Sequence, residues 1–111
     1  MKTFLAVYMG GAPEAGRAEP GSDDIARGMA AWGQWMQDHA DKVIDQGGPL
    51  GKTKEVSAKG VADISNLLTG YVTLKAESHE DAARLFLNHP HFAIFPGHSV
   101  EIMEVMPIPT A

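Results

Sequence analysis

Two alternating segments with a capped helix between them, spread over Gly70 to Pro107, leave this chain few folds to choose from. From Gly70 to Ala76, Val72, Leu74 and Ala76 fall on one side and Tyr71, Thr73 and Lys75 on the other, the pattern of a strand with one buried face. Ser78 and Asp81 then form a capping-box pattern, with the Ser78 hydroxyl accepting from a free backbone N–H one turn on and Asp81 reaching back. Ala82, Leu85 and Phe86 share one side of the helix that follows. Pro90 disfavours helical geometry at His89, so this helix ends near Asn88 and His89 to His91 reads as a turn. Beyond Gly97, Val100, Ile102 and Glu104 alternate with Glu101, Met103 and Val105 until Pro107 and Pro109 remove ladder donors.

The first half supplies the rest of the layout. Lys2 to Met9 is apolar on both faces, as in a central strand. Gly10 to Gly21 is rich in Gly, Pro and small residues and reads as an exposed flap; its Gly10-Gly11 pair lacks the Lys-Ser/Thr and the immediate helix of a phosphate loop. Ser22 is the expected N-cap of a long helix with Asp23 and Asp24 in its first turn. Ile25, Met29, Trp32, Met36, Val43 and Ile44 recur at helical spacing with Trp35 on the flank, and Gly47-Gly48-Pro49 stops the helix. Lys52 to Gly60 alternates and is polar enough for a sheet edge. Val61 to Thr69 has no clean period yet is apolar, so it should fold back on the body or be covered by a second subunit.

The order strand, helix, strand, strand, helix, strand is the split βαβ pattern of α+β ferredoxin-like folds, with a four-stranded antiparallel sheet covered by helices on one face. The other face would carry Tyr71, Thr73, Lys75, Glu101, Met103 and Val105, and pairing two such sheets would bury it, so a homodimer is expected. With 111 residues the chain makes one domain. A net charge of −5 and the lack of any Lys/Arg cluster disfavour nucleic acid and anionic membrane surfaces as partners. No stretch is long enough to span a bilayer. The chain contains no Cys, which excludes disulfides, thiolate metal sites and Cys nucleophiles and makes the cytoplasm the default location.

Chemistry concentrates near the second half. His89, His91 and His98 are the imidazole cluster, able to act as acid, base or ligand near neutral pH. His89 and His91, two apart, project to opposite faces in extended chain and would share a metal only across a turn, so a His-bound metal site is the weakest of the readings, and no cofactor motif is present. Glu101, flanked by apolar residues, is a candidate carboxylate in a half-buried cleft, against the plainer reading of a salt bridge with Lys75. Tyr71 is a candidate hydrogen-bond donor, and Lys75, His91 and Trp32 are the candidate ligand contacts. The Trp and Met stripe reads first as core. Ser22, Ser65 and Ser99 lie in no nucleophile motif.

These elements together resemble the YCII-related family, also called the DGPF-domain family, one of the dimeric α+β barrel groups. The resemblance runs through Lys2 to Tyr8, the Trp32 and Trp35 helix, Gly47 to Leu50, Gly70-Tyr71, Ala76 with the Ser78 box, His89-Pro90, and Gly97 to Ile102. It implies a ferredoxin-like protomer that dimerises, with a cleft between sheet and helices or at the dimer interface. Asp63-Ile64-Ser65-Asn66 stands where the namesake Asp-Gly-Pro-Phe falls, and Met103 replaces a common Arg. For some members a His and Asp pair has been suggested to be catalytic, and one relative removes chloride from an aromatic substrate. The Asp position of that pair is His89 here, and its His position falls near Met36, with His39 almost one turn later. The resulting expectation is a small-molecule enzyme of lyase or isomerase type, with His89 as acid or base, Glu101 as its partner and Tyr71 orienting the substrate. The alternative is a non-catalytic dimeric ligand-binding or regulatory module, since some relatives lie beside or are fused to sigma factors.

Overall fold

The computed structural model of the chain describes residues 1–11 and 21–109. Four strands make one antiparallel sheet: β1 (Lys2–Gly10), β2 (Val43–Pro49), β5 (Leu68–Ala76) and β6 (Gly97–Glu104), in the order β2-β5-β1-β6. That is the ferredoxin-like arrangement, with β1 central as its apolar run predicts. A separate two-stranded hairpin, β3 (Thr53–Ser57) and β4 (Gly60–Ile64), is inserted between β2 and β5. Helices α1 (Ser22–Asp38), α2 (His79–Arg84) and the one-turn α3 (Pro90–Ala93) complete the chain.

Register assigns the faces. Ala6 pairs with Val72 and Ile102, and Phe4 with Leu74 and Glu104. Phe4, Ala6, Tyr8, Val72, Leu74 and Ala76 are buried there beneath Trp35, Ala82 and Phe86 from the helices. Each large apolar side chain so covered contributes roughly 1.5–3 kcal/mol relative to exposure. Val7 sits between Tyr71 and Glu101, Leu5 between Thr73 and Met103, and Thr3 opposite Lys75. These side chains share the opposite face, which no helix covers, and Met103 is 41% exposed on it.

Helix ends follow capping chemistry. Ser78 Oγ accepts from the Asp81 N–H at 3.0 Å, as its box pattern predicts. At the start of α1 the N-cap is Gly21, without a side-chain cap bond, and Ser22 is already helical. α2 ends at Arg84, earlier than the expected Asn88, and Asn88 takes a left-handed φ of 57°. The expected turn at His89 to His91 is instead the entry to α3, with Pro90 in the first turn, where its missing N–H costs nothing.

Three expectations for the middle of the chain are corrected. Val43 and Ile44 do not extend α1; they begin β2, which forms one edge of the sheet. Gly47 is left-handed (φ 64°), but within an irregularity of β2 and not at a helix end. A Cβ there would collide with the Tyr71 carbonyl, so only Gly lets β2 run this close to β5. Lys52 to Gly60 and Val61 to Thr69, read as an edge strand and a loop, instead give the hairpin and the start of β5, with Ser57 paired to Gly60 around a tight turn. The expected flap, Gly10 to Gly21, falls for residues 12–20 outside the described residues.

The apolar stripe of α1 also divides differently. Trp35, placed on the flank, is the buried residue, whereas Ile25 and Met29 are 45% and 61% exposed. The N-terminal half of α1 meets Phe95 through Gly28, where a Cβ would lie 2.5 Å from the Phe95 ring.

Candidate active site

Tyr8 is the residue around which the site is built. It projects from β1 onto the helix-covered face, 3% exposed, and its ring lies 4.8 Å from Trp32, 5.1 Å from His89 and 5.2 Å from His91. Trp32 meets His89 edge-on at 4.5 Å, and Trp35 and Phe86 close the far side of the imidazole. His89 has no exposed surface. It is held there because Pro90 starts α3, which turns the preceding imidazole back over the first turn as an N-cap.

The hydrogen bonds fix its tautomer. His89 Nδ1 accepts from the His91 backbone N–H at 3.0 Å, so in the neutral ring the proton sits on Nε2. Nε2–H therefore donates to Tyr8 Oη, through a long bond of 3.4 Å. The Tyr8 hydroxyl, having accepted from His89, keeps its own proton free for another acceptor. His91 is anchored in turn by Nε2, which donates to the Met9 carbonyl at 2.8 Å. Gly97 makes this possible, since any Cβ there would overlap the His91 ring and carbonyl.

Electrostatically the cluster is neutral. Burial, with smaller contributions from the positive forms of His91 and His39, pushes the His89 imidazole down to about 3. Burial also lowers His91, while its backbone hydrogen bonds at Met9 and Ser99 act in the opposite direction. The Tyr8 phenol is pushed well above its ordinary value by burial. At neutral pH the three groups are an uncharged phenol and two uncharged imidazoles.

Tyr8 also lines a cleft of about 320 Å³, bounded by Trp32, Met29 and Phe95 on one side and by Gln46, Gly48, Pro49, Thr69, Gly70 and Tyr71 on the other. Its volume suits a small ring compound. The edge of β2 and the start of β5 form one wall and α1 the other, so the cleft lies between sheet and helices.

The expected site residues are thus only partly brought together. Trp32 and Tyr71 line the cleft, and His89 and His91 stand behind Tyr8 without lining it. Glu101 does not meet His89: it faces the uncovered side of the sheet beside Val7, and the imidazole lies on the helix-covered side against Tyr8. The expected His89–Glu101 partnership is therefore not formed within one protomer. Tyr71 lies across Val7 from Glu101, on that same uncovered side by register, and reaches the cleft at the β2 edge. Lys75 is exposed opposite Thr3, while Glu101 pairs with Val7 four residues further along β1, and no ion pair joins them among the described residues. His98 is exposed and bonds Ser99 through Nδ1 at 2.9 Å, so the three imidazoles do not converge. Among the described residues no three His, Asp or Glu side chains are placed to hold a metal ion.

Sequence reasoning passed over Tyr8, Phe95 and Gln46. Tyr8 had a signal: a hydroxyl within a strand apolar on both faces must find a buried partner. Phe95 and Gln46 had none, because their place depends on α3 and on the β2 irregularity.

No family model matches the chain, and no curated protein matches it significantly. Among solved structures it is similar to 5-chloro-2-hydroxyhydroquinone dehydrochlorinase from Burkholderia phenoliruptrix AC1100, in complex with 2,5-dihydroxybenzoquinone. The TM-score is 0.57 at 18% identity, over 94% of this chain and 93% of that one. The two chains share a fold. No helix among the described residues is long and apolar enough to cross a membrane.

Proposed function

We propose that the protein is a small-molecule enzyme of lyase or isomerase type, akin to the YCII-related proteins it resembles, acting on a ring compound bound in the Tyr8–Trp32 cleft. The observation that carries this reading is Tyr8, a residue of the cleft lining whose hydroxyl accepts from His89 and so keeps its own proton for another acceptor, which on this reading is the ligand. A dehydrochlorinase of the same fold, bound to a dihydroxylated quinone, supports ring chemistry as the class.

In such a reaction a C–H or O–H proton of the substrate leaves to water and the electron pair gathers on a ring oxygen. In an elimination the pair then returns to form a new double bond as the leaving group departs with the electrons of its own bond, and in an isomerisation it returns to take a proton from water at another carbon. Tyr8 would donate to the oxygen on which charge gathers, and the His89 Nε2–H would hold the phenol in line. His89 is on this reading a positioning residue rather than the acid or base. Tyr8→Phe should lower kcat by about 10²-fold on responsive halogenated hydroquinones or enolisable ketones, and raise KM as well. Equal turnover by wild type and Tyr8→Phe would refute it.

We further propose that Leu5, Val7, Tyr71, Glu101 and Met103 form the contact between two copies. Any role of Glu101 and Lys75 would then lie at that interface. Met103→Lys should shift sedimentation from dimer to monomer, and a wild-type monomer would exclude the arrangement. One observation favours the non-catalytic module instead: no carboxylate lines the cleft among the described residues, and both imidazoles behind Tyr8 are engaged. That reading predicts ligand binding with no turnover in the wild type.

A further inference from the structure

The cleft's chemistry narrows the ligand class, resting on the reading that this cleft is the site. Its described lining contains no Lys, Arg, His, Asp or Glu. The polar side chains among its lining residues are Tyr8, Gln46 and Thr69, while Tyr71 turns by register to the uncovered side of the sheet. Thr69 Oγ1 already donates to the Tyr8 carbonyl at 2.9 Å, so it retains only acceptor capacity toward a ligand. The side-chain donors left to a ligand are thus the Tyr8 hydroxyl and the Gln46 amide. Lys75, the cation nearest in β5, faces the uncovered side of the sheet.

The walls are aromatic and fixed. Tyr8 and Trp32 pack at 4.8 Å and Trp32 and Phe95 at 6.0 Å, one continuous surface of ring faces and edges. Phe95 is seated against Gly28, which leaves it no room to retreat toward α1. A flat ring finds matching contact area here. A carboxylate or phosphate would shed its hydration and gain no cation, a poor exchange. We infer that the ligand is an uncharged planar ring bearing an acceptor oxygen directed at Tyr8, and that ring carboxylates and phosphates are discriminated against.

Benzamide and benzoate have nearly the same shape and differ in charge, so they isolate the point. Both would be titrated at pH 7 into the full chain, with backbone and Trp indole NMR shifts as readout, using wild type, Tyr8→Phe and Gln46→Lys. Gln46 is exposed at the cleft rim, so the added Lys keeps the fold and supplies the missing cation. The expected result is at least about tenfold tighter binding of benzamide in wild type, weakened in Tyr8→Phe, with the preference for benzamide reduced several-fold in Gln46→Lys. Benzoate binding as tightly as benzamide, a ratio unmoved by Gln46→Lys, or no shift at cleft residues with either compound would each overturn the inference. Benzamide preference without turnover of any ring compound would sink the enzyme reading alone. Turnover with reversed charge preference would sink this inference alone.

Discussion

Acid should unfold this protein through His89 before its carboxylates matter. In the unfolded chain the imidazole takes a proton near 6.5; in the folded chain burial holds it neutral to about 3. Between those values the unfolded state binds the extra proton, so stability is complete above 6.5 and falls as the pH drops toward 3. The slope approaches about 1.4 kcal/mol per pH unit, and the loss by pH 4.5 is roughly 2–3 kcal/mol from His89 alone. That is a large part of a typical total of about 5–15 kcal/mol. His91, also lowered, steepens the same limb. His89→Asn keeps an acceptor for the His91 N–H and removes the titration. Urea unfolding followed by the fluorescence of Trp32 and Trp35, which pack on His89, would be measured for both proteins from pH 7.5 to 4.5. At pH 7.5 the variant should be less stable by about 1–3 kcal/mol, for the cavity it leaves. Its curve should be flatter by about 1.4 kcal/mol per unit below pH 6. Parallel curves would refute a neutral buried His89.

Further substitutions probe the scaffold around the cluster. Gly97→Ala forces a methyl against the His91 ring and carbonyl and should cost about 1–3 kcal/mol or more in denaturant unfolding. Gly28→Ala drives a methyl into the Phe95 ring; it should move the Phe95 resonances and weaken benzamide binding several-fold while the helical circular dichroism holds. Ser78→Ala removes the α2 cap and should lower stability by about 1 kcal/mol without changing ligand affinity.

What was legible in the chain was what is local. The alternation at Val72, Leu74 and Ala76 and the Ser78 cap follow from a period of two and from one side-chain oxygen, and both stand in the structure. Val43 and Ile44 misled because they continue the helical period of Met36, and Gly47-Gly48-Pro49 looks like a helix stop. The backbone instead uses the left-handed Gly47 to pass close to Tyr71 in a sheet edge, which depends on a strand over twenty residues away. β4 shows no strand period in the sequence because all the hairpin side chains but Thr53 are exposed, leaving no buried face to reveal one. In the candidate site, His89 stood out in the sequence through the family resemblance, which matches its position before Pro90. Its partner was not, since the face that Tyr8 and Glu101 each occupy is set by register across β1.

The most direct test of the Tyr8–His89 arrangement is the ¹⁵N NMR spectrum of the histidine side chains across pH 7.5 to 4.5. His89 should show an unprotonated Nδ1 and a protonated Nε2 throughout, with no titration in that range, as expected if the Tyr8 proton is directed to the cleft. A His89 ring that titrates near 6.5, or that carries its neutral proton on Nδ1, would contradict the account.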